Sequence, residues 1–184
     1  MEKMKISNNS WQTSLSQQLN QLTSELGESP RVAIVGIGNQ LRNDDAAGMV
    51  VARKLLHKEC AADVSHLLVI QAGHAPENVT SELRSFAPEL ILLIDAADMR
   101  DVPGTICWVP IQSIEGMSAS THSLPLSMLA RYLTLELHCM VALIGIQPKS
   151  NDFGEIISAE VSQAIDEIVE EICKTCFALK PVHF

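Results

Sequence analysis

The chain has 184 residues, enough for one domain with a sizeable core. Apolar residues make up 47% of it, yet no apolar run approaches the ~20 residues of a membrane-spanning helix, so membrane insertion is not expected. A net charge of −9 with scattered Lys and Arg argues against a nucleic-acid partner, because holding a phosphate backbone takes clustered cations.

The chain opens MEKMKISNNSWQ, two lysines with no apolar stretch behind them, which does not read as a secretory signal. Residues 9–26 predict an amphipathic helix. Trp11, Leu15, Leu19, Leu22 and Leu26 fall on one stripe, Asn9 or Ser10 can cap the start, and Gly27 and Pro30 end it. The stripe either packs on the rest of the chain or docks a partner. Residues 1–30 thus form a helical extension ahead of a domain over 31–184.

From residue 31 the pattern is α/β. Apolar runs bounded by turn residues appear at Val32–Ile37, Val64–Ile70, Leu90–Ile94, Thr105–Ile111 and Met140–Ile146. Helical patterns lie between most of them, at Ala46–His57, Pro76–Phe86 and Leu124–Leu137, and a last one spans Ala159 to Phe177. Uninterrupted Val/Ile/Leu strands imply burial on both faces, which helices on either side of a mostly parallel sheet provide. The short link from Asp95 to Thr105, containing Pro103-Gly104, reads as a hairpin, with the fourth strand antiparallel to the third.

The loop after the first strand reads Gly36-Ile37-Gly38-Asn39-Gln40-Leu41-Arg42-Asn43-Asp44-Asp45. It fails as a dinucleotide fingerprint: Leu41 stands where the third glycine belongs, and two carboxylates stand where a phosphate would sit. One acid of the pair can serve the start of the following helix, where the dipole and capping favour it. Adjacent side chains point apart, so the other is free for chemistry. The third strand stops on Asp95, at the edge of the sheet where open parallel sheets bind ligands. Asp98 reads as a turn residue.

Of six histidines, His122 begins the helix before the fifth strand, and that start can face the same edge. Two carboxylates and an imidazole on one edge make a divalent-metal site with open positions, suited to nickel, zinc or iron(II). His74 follows the second strand as a neighbour. Cys173 and Cys176 form a C-x-x-C without a second half-motif and on an apolar helix face, so packing is the expected role. Five cysteines at irregular spacing suit reduced thiols in cytoplasm. No G-x-S-x-G or H-E-x-x-H occurs.

At these residues the chain resembles the hydrogenase maturation endopeptidases, and within them the branch that processes the large subunit of membrane-linked, hydrogen-evolving nickel–iron hydrogenases. The segments that carry the resemblance are Gly36-Ile37-Gly38-Asn39 with Asp44-Asp45-Ala46-Ala47-Gly48; Ala75-Pro76-Glu77-Asn78; Leu93-Ile94-Asp95-Ala96-Ala97-Asp98-Met99; Thr121-His122-Ser123-Leu124-Pro125-Leu126; and Gly145-Ile146-Gln147-Pro148.

The resemblance implies a three-layer α/β/α fold with a five-stranded sheet. It picks Asp45 over Asp44, and makes Asp45, Asp95 and His122 both the catalytic residues and the ligands to a nickel ion that arrives with the substrate. The implied partner is the nickel-loaded precursor of the hydrogenase large subunit, from which a C-terminal peptide is removed by attack of water. The metal could polarise the carbonyl or activate the water, and an aspartic-protease-like pair is the other route. A nickel-binding maturation chaperone that does not cut is the alternative. A cytoplasmic monomer is the expected state. The N-terminal segment and the His74 and Gln71 positions depart from the family pattern.

Overall fold

The computed structural model describes residues 10–58, 65–110 and 125–176. Helix α1 (Trp11–Leu26) starts at Ser10, whose Oγ accepts the Thr13 N–H at 3.2 Å, and ends where Gly27 turns left-handed at φ +74°. There follow β1 (Val32–Ile37), a 3₁₀ turn at Asn43–Ala46 and α2 (Ala47–Leu56). Next are β2 (Leu67–Gly73), a 3₁₀ turn at Pro76–Val79, α3 (Thr80–Phe86) and β3 (Leu90–Ala96). The chain continues through β4 (Ile106–Pro110), α4 (Leu126–Leu137), β5 (Met140–Ile146) and α5 (Ala159–Thr175).

The five strands form one sheet in the order β2-β1-β3-β5-β4, parallel except for the β4–β5 pair. β4 does run opposite to β3, but the expected hairpin does not exist. β5 lies between them, pairing Leu90 with Met140 on one side and Ile106 with Ile146 on the other. A parallel neighbour buries the apolar β3 on both edges, which a hairpin with the half-exposed β4 would not. β1 and β3 are buried at every position, whereas the edge strands β2 and β4 are only partly covered. β2 also continues past Ile70 to Gly73, which puts Gln71 inside it; Val64 lies outside the described residues.

Strand alternation divides the core into two layers. On one face Val32, Ile34, Leu90, Leu92, Ile94, Ala142 and Ile144 meet α1, α2 and α5. On the other Ala33, Val35, Ile37, Ile91, Leu93, Val141 and Leu143 meet α3 and α4. The α1 stripe belongs to the first layer: Trp11, Leu15, Leu19 and Leu22 are all buried there, and Trp11 Nε1 donates to Glu167 Oε1 of α5 at 3.1 Å. This resolves the choice between packing and docking in favour of packing. The stripe stops one residue short, since Leu26 is exposed.

Candidate active site

The carboxyl edge of the sheet is built on two glycines at which any side chain would run into backbone. Gly38 sits at φ +138°, and a Cβ there would stand 1.8 Å from the Asp45 carbonyl oxygen. A Cβ on Gly48 would stand 2.0 Å from the Ile94 oxygen and 2.5 Å from the Ile37 oxygen. The first turn of α2 therefore rests on the ends of β1 and β3. Asp45 is carried to that edge with it, 1% exposed, and its Oδ2 accepts the Asn39 N–H at 3.0 Å.

Asp95 arrives from the central strand. Ile94 faces the α1/α2/α5 layer, so the pleat turns Asp95 toward the α3/α4 layer, where it is fully buried. Its register partner on β5 is Gly145. A Cβ on that glycine would meet Ala97 Cβ at 3.2 Å and Met99 Sδ at 3.5 Å, so the strand approaches the loop after β3 closely. The β1–β3 edge thus receives two buried carboxylates from separate elements. The third candidate, His122, lies outside the described residues. Among the described residues no group of three His, Cys, Asp or Glu side chains could hold a metal ion. His74 is exposed directly after Gly73, whose carbonyl accepts the Gly38 N–H at 3.0 Å, so it borders the same edge.

Asp44 has a different task from the one expected of a helix-start acid. It makes no side-chain cap on α2. Instead its carboxylate reaches the loop after β5 and accepts from Lys149 N (2.9 Å), Ser150 N (3.2 Å), Ser158 N (2.7 Å) and Ser158 Oγ (3.0 Å). Four donors around a side chain 1% exposed explain how a charge is kept inside. Asp44 and Asp45 thus diverge, one clamping the loop before α5 and the other turned to the strand ends.

Gln147, to which sequence alone assigned no role, organises the opposite side of the edge. It is buried, and its Oε1 accepts Met99 N at 2.7 Å and Asp101 N at 3.2 Å. The signal was an amide directly after an apolar strand, where loop N–H groups need acceptors. Asp98 is a turn residue as expected, accepting Arg100 N at 3.1 Å. Cys176 is fully buried, which pushes its thiol up to about 12, and Cys173 packs against the same core, so this C-x-x-C is packing material.

Comparison with known proteins places this architecture. The family model HycI, hydrogenase maturation protease, matches residues 49–175, a stretch that contains Asp95 and begins just after Asp45. A protein of Methanocaldococcus jannaschii, provisionally assigned as a hydrogenase maturation protease, is 34% identical over 163 residues, covering 86% of this chain and 96% of its own. The hydrogenase 3 maturation protease of Escherichia coli K12 is 31% identical over 137 residues, covering 74% and 85%. The crystal structure of the NiFe hydrogenase maturation protease HycI from Thermococcus kodakarensis superposes with a TM-score of 0.72 at 28% identity, over 84% of this chain and 97% of that one. With two relatives above 30% identity and a family model spanning most of its length, the chain belongs to the hydrogenase maturation protease family.

Proposed function

We propose that this chain is the endopeptidase that removes a C-terminal peptide from the nickel-loaded precursor of a nickel–iron hydrogenase large subunit. The observation that carries the reading is the pair of buried acids, Asp45 and Asp95, at the β1–β3 edge of a chain in this peptidase family. Buried oxygen donors, joined by one imidazole, suit a divalent ion with positions left for the substrate's own ligands.

His122 is the proposed third member. It precedes Leu126, the first residue of α4, by four residues, which an extended chain covers in at most ~14 Å. Since α4 leads back to the start of β5, its own first turn belongs to the carboxyl side of the sheet, on the face toward which Asp95 points. That tether supports a shared site.

In this reading nickel belongs to the substrate. Asp45, Asp95 and His122 grip the metal and thereby fix the scissile bond beside them, and water attacks without a covalent enzyme intermediate. The aspartyl character of the enzyme is then positional: the acids read the metal and can also manage the proton of the attacking water. We place the enzyme in the cytoplasm, where five cysteines at irregular spacing suit reduced thiols.

The test compares nickel-loaded with nickel-free precursor under identical conditions, following the shortened product by mass. Cleavage of the loaded form alone is expected. Equal cleavage of both would remove nickel recognition from the reading.

A further inference from the structure

Three large apolar side chains stand in water beside the Asp45 edge: Leu41 (48% exposed), Phe153 (82%) and Ile156 (80%). They sit on two loops that are distant in sequence, 113 residues apart at Asn43 and Ile156, but locked together. Gly154 N donates to Leu41 O at 2.9 Å, Asn43 N to Gly154 O at 2.8 Å, and Ile156 N to Asn43 Oδ1 at 3.1 Å. Asp44 N donates to Ser150 O at 3.1 Å, and the Asp44 carboxylate grips the second loop again at Lys149, Ser150 and Ser158. Gly154 lies so close to Asn43 that a Cβ would stand 2.3 Å from its Oδ1. The apolar trio is therefore mounted on a stiff bracket, and the same bracket ends at Asp45.

We propose that Leu41, Phe153 and Ile156 form an exosite that docks the folded body of the protein substrate next to its scissile segment. This rests on the protease reading above. Side chains exposed to this degree contribute nothing to the core, whose two layers are complete without them. Apolar groups that stand proud of a surface as knobs need a partner with hollows. A folded protein surface offers hollows, whereas an extended peptide tail cannot enclose a phenylalanine.

Continuity with the acid edge selects the substrate as that protein. Leu41 is four residues from Asp45, so a body seated on the trio would bring its own chain to the strand ends. Exposed Asp152 and Glu155 alternate with Phe153 and Ile156, on a chain of net charge −9, and the half-buried Arg42 flanks Leu41. The complementary patch is thus apolar with a mainly basic rim.

The experiment uses the full chain and the nickel-loaded large-subunit precursor. Leu41→Ser, Phe153→Ser and Ile156→Ser, singly and together, should keep the thermal midpoint of the parent, because they alter exposed groups only. The triple variant should raise KM for the precursor about tenfold or more with kcat unchanged. Reversing charge with Asp152→Lys and Glu155→Lys should raise KM by a smaller factor that shrinks with added salt. As a readout that needs no cleavage, excess Asp45→Asn chain should compete with the parent for precursor, and should stop competing once the three serines are added.

An unchanged KM in the triple variant, with the parent active, overturns the exosite. So does a parent that self-associates in sedimentation through these residues while the triple variant keeps the parent's KM, since the patch would then serve a second copy. Failure of the protease reading is separate: it appears in the unsubstituted chain, as no processing at all.

Discussion

Asp44 and Ser158 are joined twice across 114 residues, with Ser158 N on Oδ1 at 2.7 Å and Ser158 Oγ on Oδ2 at 3.0 Å. The serine that would ordinarily cap α5 through its own side chain is spent on this carboxylate, and no side-chain cap forms on that helix. The acid thereby fixes the start of α5 relative to the loop that carries Asp45. Asp44→Ala would leave three partly buried backbone N–H groups and a hydroxyl without their acceptor, costing about 3 kcal/mol and roughly 6–12 °C of thermal midpoint. Asp45→Asn should do the reverse. It keeps an oxygen for Asn39 N and relieves a buried charge, so the midpoint holds or rises while precursor processing falls by about 10²–10⁴. Thermal melts and a processing assay on both variants check the division of labour, and matching phenotypes would refute it.

That division was only half legible in the sequence. A carboxylate closing an apolar strand announces Asp95, because strand length and the sheet-edge rule are local signals. For β1, β3 and β5 the burial that sets their boundaries is written in continuous apolar runs, and the run at Val32–Ile37 coincides with the strand. The partner of β4 was not legible, since a short Pro-Gly link satisfies a hairpin as well as a crossing to the far side of β5. The donors to Asp44 were hidden for the same reason. They lie 105 to 114 residues downstream, and no periodicity reports contacts between loops. Only the resemblance separated Asp45 from Asp44.

Helix α1 belongs to the core, and its removal should be felt there. Leu15 is fully buried among residues of α1 and the sheet. Leu15→Ala should cost about 2–5 kcal/mol through lost burial and the cavity left behind. The urea midpoint should fall in a single transition sensed alike by far-UV circular dichroism and by tryptophan fluorescence. An extension that merely rests on the domain would lose its own signal first, at lower urea, with the main transition unmoved.

At the opposite edge of the sheet, Arg31 and Glu89 tie the starts of β1 and β3. Glu89 Oε2 accepts Arg31 N at 2.6 Å and Oε1 accepts Arg31 Nη2 at 2.7 Å. Partial burial pushes the Glu89 carboxyl up, but the Arg31 side-chain and backbone hydrogen bonds and its charge outweigh it, so the group lies below the ordinary 4.5. A depressed folded pKa means that the unfolded chain takes up the proton first as pH falls. The stabilisation is therefore present above about pH 4.5 and is lost as pH drops through the folded value. Because the pair is substantially exposed, its contribution at neutral pH is about 0.5–1 kcal/mol. Glu89→Gln should lose that amount at pH 7 and should flatten the acid limb of the stability profile. Urea midpoints measured from pH 7 to 3 would show it; a variant curve parallel to the parent's at every pH contradicts the linkage.

Gly48 provides the strictest test of how the site is assembled. Its missing side chain lets the α2 backbone lie on the Ile94 and Ile37 carbonyls, and Asp45 is three residues earlier on the same chain. The clash in Gly48→Ala involves backbone on both sides, so no rotamer change can relieve it. Helix α2 must move off the strand ends, or the strands must part. Overpacking of this kind costs about 1–3 kcal/mol. The functional loss should exceed what that instability predicts, because an acid displaced by about 1 Å from its working position can cost about 10² in rate. Measured well below the variant's melting temperature, where the chain is folded, processing should therefore fall by that order. Gly73→Ala is the control. That glycine, unlike Gly48, is left-handed, at φ +66°, but no atom beyond its chain neighbours lies within 4 Å of the added methyl, so it carries backbone strain without displacing α2. A similar loss of stability in both variants with loss of processing in Gly48→Ala alone would trace the rate to the position of Asp45. Equal loss of processing in both would show that general loosening of this edge suffices.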